Sequence, residues 1–286
     1  MNRVNREVLR VAVIVLCAAA PLGAQTAVEP PGLASASWSD SGSGAVLKRP
    51  FDVAEAFQQP AGPAPTPRHT GVRALFKDLL SDVKHLPSKE NLMWVGIGSG
   101  LALAAHPADD NVNKYLVGNR TAERFFKPGA VVGELGTLLG GAVAVYAVGR
   151  IGDKPKVSHV GMDLIQALAV SEGITQTLKY TTRRERPDLS GPTSFPSGHA
   201  ADTFAFATAV ERHLGWRYAA PAYVFASYVA VSRMPANRHW LSDAVFGSVV
   251  GVIAGRTVTA NESLKYPATV ALVPGGVEVM FVRHGD

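Results

Sequence analysis

The 286-residue sequence holds one cysteine, Cys17, and charged residues make up only 18% of it. A single cysteine excludes a disulfide scaffold. The charged share is below the roughly 25% of an average soluble domain. With 47% apolar residues, the composition also excludes a disordered chain and a collagen-like fibre. The excess of positive charge is small, 28 Lys and Arg against 23 Asp and Glu. A formal charge of +5 calls for no nucleic-acid partner. No internal repeat is visible. Mean hydropathy is +0.11, between a typical soluble chain and a multi-span membrane protein.

Residues 1–24 read as a secretory signal. Arg3, Arg6 and Arg10 form a basic start, Val11–Ala20 an apolar run, and Leu22-Gly23-Ala24 a small-residue cleavage site before Gln25. The run is shorter than the roughly 20 residues of a comfortable span. The other reading is an uncleaved anchor. Cleavage would remove three arginines, one glutamate and Cys17, lowering the charge from +5 to +3. Residues 25–70 are rich in proline and alternating serine and poor in large apolar side chains, which predicts a disordered linker.

From Val72 the pattern turns helical. Val72, Leu75, Phe76, Leu79, Leu80 and Val83 lie on one helix face, with charged residues between them. Six apolar segments follow: Leu92–Ala105, Ala130–Val148, Val160–Leu178, Ala200–Leu214, Tyr218–Ser232 and Leu241–Val258. They are too long for ordinary strands, and breaks fall at His106-Pro107, Lys127-Pro128, Lys154-Pro155, Gly215 and Pro235. The expectation is an all-α bundle of about six core helices over residues 71–262. In the tail, residues 263–286, Ala268–Val273 and Val277–Val282 flank Pro274-Gly275-Gly276 and predict a β-hairpin packed on the bundle.

Polar residues gather in three places at the edges of apolar segments. They are Lys179 to Arg186-Pro187, Pro196-Ser197-Gly198-His199, and Ser232-Arg233 through His239 to Asp243. If a helix starts near His239, Asp243 lies on the same face. Its carboxylate could then take the proton of one imidazole nitrogen and leave the other free as nucleophile or base. A lone H-x-x-x-D is more often a solvated pair. Ser197-Gly198 ahead of a helical run reads as a helix entry with Ser197 as cap, where free N–H groups suit an anion. Gly198 lets backbone approach a ligand, and His199 stands at the rim. Alone, this is an ordinary cap beside a surface histidine. Arg186 and Arg233 match a tetrahedral oxyanion, and Lys179 adds a point charge; each alone could be surface solvation. Together they describe a phosphate site, in which positioning and charge neutralisation carry the chemistry. His199, His239 and Asp243 could also ligate a metal, but three cations beside it would raise the electrostatic cost. No metal and no cofactor is expected.

In order and spacing the three blocks resemble the signature of the type 2 phosphatidic acid phosphatase (PAP2) and vanadium haloperoxidase superfamily: K-x6-R-P, P-S-G-H and S-R-x5-H-x3-D. Every fixed position is filled. One departure is the eight residues Asp188–Phe195 between the first two blocks, a shortened loop that bears on head-group specificity more than on catalysis. The resemblance covers roughly Leu92 to Val258. It implies a metal-independent phosphatase with His239 as the nucleophile that forms a phosphohistidine and Asp243 as its orienting residue. His199 would be the acid for the leaving group and would then activate water. Lys179, Arg186, Ser197, Gly198 and Arg233 would hold the phosphate.

A basic rim on an apolar bundle points to a lipid phosphate as the partner, of phosphatidic acid or isoprenyl diphosphate type. A secreted acid phosphatase on soluble esters and a vanadium-dependent haloperoxidase are the alternatives. A signal peptide implies export. If six segments spanned a membrane, Lys179 would face the cytoplasm; five spans would put the site outside, with Arg150, Lys154 and Lys156 inside. Two segments of about 15 residues are short for spans. The expectation is a periplasmic or inner-membrane-associated protein with its site facing the periplasm.

Overall fold

A computed structural model describes residues 71–260 and the backbone of two strands, 268–273 and 276–281. The expected signal, residues 1–24, and the expected linker, residues 25–70, lie outside the described residues. In chain order the helices are α1 (Val72–His85), α2 (Lys89–Ala105), α3 (Asp109–Leu116), α4 (Arg120–Val132), α5 (Leu135–Ile151), α6 (Pro155–Thr182), α7 (Gly198–Leu214), α8 (Trp216–Ser232) and α9 (Leu241–Val258). A 3₁₀ turn, His106–Ala108, links α2 to α3. Strands β1 (Ala268–Val273) and β2 (Gly276–Phe281) pair antiparallel, from Ala268 opposite Phe281 to Val273 opposite Gly276.

Local chemistry sets several boundaries. Ser88 caps α2 by accepting the Asn91 N–H at 3.1 Å, and Asn119 caps α4 through the N–H groups of Thr121 and Ala122. Pro155 occupies the first turn of α6, where its missing N–H costs nothing. Two sequence expectations need correction. Lys127-Pro128 does not end a helix; Pro128 lies inside α4. The expected segment Ala130–Val148 is also not one helix. The break falls at Gly133-Glu134, and α4 and α5 meet at a 47° bend. The reason is packing: a Cβ on Gly133 would lie 2.2 Å from Cγ1 of Val229 in α8.

Helix α9 is apolar on every side and is the core of the bundle, since a helix without a polar face must be surrounded. One apolar cluster joins it to α2, α3, α7 and α8 through Phe204, Tyr223, Met234 and Val245. A second joins it to α5, α6 and α7 through Leu138, Leu164, Leu168 and Val258. A glycine row lets α9 lie against α7. A Cβ on Gly247 would meet the Ser197 carbonyl oxygen at 2.5 Å, on Gly251 that of Ala201 at 2.2 Å, and on Gly255 the Cβ of Thr208 at 2.6 Å. This row brings the first turns of α7 and α9 side by side.

Among the described residues one helix, Leu241–Val258, is long and apolar enough to cross a membrane, and 94% of it is buried inside the protein. The bent pair α4 and α5 passes the same test only if counted as one span. Asp163, which interrupts the apolar stretch of α6, is buried and accepts from His213 Nε2 at 2.8 Å.

Candidate active site

All eight residues singled out in the sequence converge where the end of α6, the loop 183–197, the start of α7, the end of α8 and the start of α9 meet. Lys179 is in the last turn of α6, Ser197 precedes α7, and Gly198 and His199 open it. Arg233 is the C-cap of α8, and Asp243 is in the first turn of α9. A Cβ on Gly198 would stand 4.0 Å from Lys179 Nζ, and His199 lies within electrostatic reach of Arg233, His239 and Lys179. Three non-glycine residues in the connecting loops have left-handed backbone, Arg183 (φ 48°), Leu189 (φ 58°) and Asn237 (φ 56°). Such conformations cost on the order of 1–3 kcal/mol each and persist where surrounding contacts impose them.

His239 does not sit in the helix. Helix α9 starts at Leu241 with Trp240 as its N-cap. The ring is buried, with 3% of its surface exposed. Its Nδ1 lies 2.6 Å from the carbonyl oxygen of Ser194 and 3.8 Å from Asp243 Oδ2. A carbonyl can only accept, so Nδ1 carries the proton and the lone pair is on Nε2. The tautomer is therefore fixed first by a backbone carbonyl, not by the carboxylate expected from the sequence. Asp243 accepts the Ser194 hydroxyl, the Trp240 N–H at 2.9 Å and Arg184 Nη1 at 2.6 Å. Burial pushes its carboxyl up, but the contacts with His239, Arg184 and Ser194 outweigh this and hold it below the usual aspartate value. Burial lowers the pKa of His239.

Ser197 also departs from expectation. Its hydroxyl makes no capping bond; Oγ is buried without a hydrogen-bond partner among the described residues, while its N–H donates to the Asp243 carbonyl at 3.0 Å. Nε of Arg186 and Nε of Arg233 are likewise buried and unpartnered. Unpaired buried donors are costly, about 1–3 kcal/mol each. Burial, with Arg238 and Arg186 nearby, lowers Arg233 to about 10. Burial and Arg186 lower Lys179. This is a site of positive charge crowded against its own repulsion. His199 Nε2 donates to the Ala130 carbonyl at 3.2 Å, which leaves Nδ1 as its free nitrogen; burial and Arg233 push its pKa down to about 4.

The sequence reading missed Ser194, Arg184 and Asp109. Ser194 contributes a backbone carbonyl, which no side-chain pattern signals. Arg184 lies inside the first block, and Asp109 is the first residue of a short polar helix. Among the described residues no group of three or more His, Cys, Asp and Glu could hold a metal ion.

Residues 160–265 match the sequence model of the PAP2 superfamily. Over 91 residues, 31% of its length, the chain is 40% identical to the lipid A 1-phosphatase of Porphyromonas gingivalis. It spans about a fifth of that relative's length, 20%. Similar solved structures include a transmembrane PAP2-type phosphatidylglycerolphosphate phosphatase from Bacillus subtilis. The identity is 20%, the TM-score 0.48, and the match covers 67% of this chain and 96% of that one. For LpxE of Aquifex aeolicus the identity is 22%, the TM-score 0.45, and the coverage 55% and 95%. Residues 160–265, the part of the chain that matches this model, hold all three polar blocks, from Lys179 to Asp243.

Proposed function

We propose that this chain is a phosphatase that removes phosphate from a lipid phosphomonoester or diphosphate through a phosphohistidine on His239. The observation that carries the reading is the set of unpartnered buried atoms, Arg186 Nε, Arg233 Nε and Ser197 Oγ, in the site that contains Nε2 of His239. A tetrahedral dianion would satisfy all three and relieve the repulsion that depresses Lys179 and Arg233. The Nε2 lone pair attacks phosphorus, a P–Nε2 bond forms, and the bond from phosphorus to the leaving oxygen breaks. His199 gives that oxygen a proton. Water then attacks the phosphohistidine, His199 takes a proton from the water, and inorganic phosphate leaves with His239 restored. His199 is neutral above about pH 4 in the free protein. The charge of the bound dianion would raise it into the range where it can act as an acid. Charge neutralisation comes from Lys179, Arg186 and Arg233, so the scheme needs no metal.

A lipid substrate is supported by large apolar side chains exposed on α2 (Leu92, Leu103), α5 (Val143, Val148, Ile151) and α8 (Val224). Such a surface suits a membrane-associated protein. Combined with the basic, apolar start of the chain, it supports a site facing the periplasm. The test is phosphate release, with and without EDTA, by wild type and His239→Ala on phosphatidic acid, isoprenyl diphosphate and a soluble ester. Release from the lipids that survives EDTA and is lost in the variant is expected. A preference for the soluble ester would move the protein to the acid phosphatases, and no release from any of the three would sink the proposal.

A further inference from the structure

Arg184 touches both groups that hold His239. Its backbone carbonyl accepts the Ser194 N–H at 2.9 Å, and Ser194 in turn presents its own carbonyl to His239 Nδ1. Its side chain reaches the other support: Nη1 donates to Asp243 Oδ1 at 2.6 Å and to Ser242 Oγ at 2.7 Å. The second arm of the fork, Nη2, donates to Asp109 Oδ2 at 2.7 Å. One guanidinium thus spans two carboxylates that are both almost fully buried, 4% and 0% exposed.

Asp109 closes the figure. Oδ1 accepts the Ser242 N–H at 2.9 Å, a free donor in the first turn of α9, and Oδ2 accepts the Ser242 hydroxyl at 2.7 Å. A carboxylate at a helix N-terminus is favoured by the helix dipole. Arg184, Asp109 and Ser242 therefore form a closed ring of hydrogen bonds, and the same guanidinium ties Asp243 to it. A planar five-donor fork can do this, and a lysine point charge cannot.

We propose that Arg184, anchored by Asp109, is a positioning residue for the His239 nucleophile. The start of α3, outside residues 160–265, is then part of the catalytic apparatus. The inference rests on the phosphohistidine reading above. Neither residue touches the phosphate. Each acts by fixing the frame, Ser194 and Asp243, that aims Nε2. Loss of such a support typically costs 10- to 100-fold in rate, since a misplacement of about 1 Å suffices.

The alternative is a staple that joins α3 to α9 and serves stability alone. Kinetics on the full chain separate the two, using phosphatidic acid in detergent micelles as substrate and inorganic phosphate as competitor. Arg184→Gln should lower kcat about 100-fold and Asp109→Asn about 10-fold. KM and the phosphate inhibition constant should stay within about threefold, because Lys179, Arg186 and Arg233 are untouched. Arg184→Lys supplies a readout that a staple would not move. The charged and titratable groups facing Asp243 are Arg184, His239, Lys179 from α6 and, across Arg184 and Ser242, Asp109 of α3 with His106 at 2.8 Å from its Oδ2. The lysine keeps the charge, so the acid limb of kcat/KM should stay in place while kcat falls. In Arg184→Gln that limb should move to higher pH. Wild-type kcat and pH profile in variants with lowered melting temperature would overturn the inference in favour of the staple. If Arg184→Gln does not fold, Asp109→Asn decides by the same two readouts. The reading beneath is tested apart: activity that survives His239→Ala would end the phosphohistidine scheme, whereas an inactive His239→Ala beside a fully active Arg184→Gln would end only this inference.

Discussion

The carbonyl oxygen of Ser194 stands 2.6 Å from Nδ1 of His239, and the Ser194 hydroxyl donates to Asp243. One residue thus fixes the tautomer of the proposed nucleophile with its backbone and the nearby carboxylate with its side chain. The two contacts can be separated. Ser194→Ala keeps the carbonyl and removes the hydroxyl. It should cost about 1.5–3 kcal/mol of stability, the range for a hydrogen bond to a charged group. It should lower kcat about 10-fold or less, far less than His239→Ala, which should leave no turnover above background. Urea titration and steady-state kinetics measure both. A kcat for Ser194→Ala as low as that of His239→Ala would show that the hydroxyl, not the carbonyl, sets the geometry.

Asp243→Asn tests the carboxylate. Asparagine cannot accept from Arg184, Ser194 and Trp240 together, because one of its two terminal atoms is a donor. Arg184 then faces one buried carboxylate instead of two. Breaking a buried pair costs about 3–5 kcal/mol, and the low end applies because 26% of the Arg184 side chain is exposed. A stability loss of about 3 kcal/mol with a large loss of kcat is expected. Denaturant titration that shows wild-type stability would mean that Asp243 is protonated and uncharged in the folded protein.

The pH dependence of stability carries opposing contributions. The histidines are held neutral in the fold: burial depresses His239, and burial and Arg233 depress His199 to about 4. The unfolded chain binds more protons between that value and the ordinary 6.5. The contribution of His199 is complete above pH 6.5 and is lost as pH falls toward 4, and that of His239 is lost in the same direction. Asp202 acts the other way. Burial and Glu172 raise it to about 7, so the fold binds more protons than the unfolded chain between 3.8 and 7, and stability is lost as pH rises through 7. Asp202→Asn, an uncharged mimic of the protonated acid, should therefore melt higher than wild type at about pH 8. It should also lose stability more steeply on acidification from about pH 6.5 to 4. A melting temperature below wild type at that alkaline pH would show that the ionised Asp202 is stabilised in the fold.

The fold was legible where apolar length and breaks coincide. Leu92–Ala105, Ala200–Leu214, Tyr218–Ser232 and Leu241–Val258 all lie within observed helices, as Gly215 and the polar block around Arg233 foretell. It was illegible at Gly133, where the bend depends on Val229, a neighbour nearly a hundred residues away. Helix α3 was unread because only Val112 and Leu116 of its apolar side chains are buried, too few for a periodic signal. The three polar blocks were legible because they stand out at the edges of apolar segments, and the fold brings the eight proposed site residues near one another. Their supports were not. The role of Ser194 lies in its backbone, and Asp109 meets Ser242 across 133 residues.

The glycine row of α9 yields a prediction that separates close approach from helix propensity. Alanine is the better helix former by about 1 kcal/mol, so propensity alone predicts that any helical Gly→Ala stabilises. Gly140 is exposed on α5, and a Cβ added there would meet nothing within 4 Å. There propensity should hold, and Gly140→Ala should gain about 0.5–1 kcal/mol. At Gly251 a Cβ would stand 2.2 Å from the Ala201 carbonyl oxygen and 2.7 Å from the Ala205 nitrogen, both backbone atoms that no rotamer can move. Helix α9 must then shift away from α7, and Gly251→Ala should lose about 1–3 kcal/mol, the usual cost of overpacking. The shift also pulls on the Ser197 N–H bond to the Asp243 carbonyl, which joins the two helix starts at 3.0 Å. Folded Gly251→Ala should therefore turn over more slowly, although Gly251 lies about two helical turns from Asp243 and touches no site residue. Urea midpoints and kcat for the two variants decide it. Equal gains at both positions would mean that α7 and α9 leave room for a side chain between them, and the glycine row would not be what sets the distance between His199 and His239.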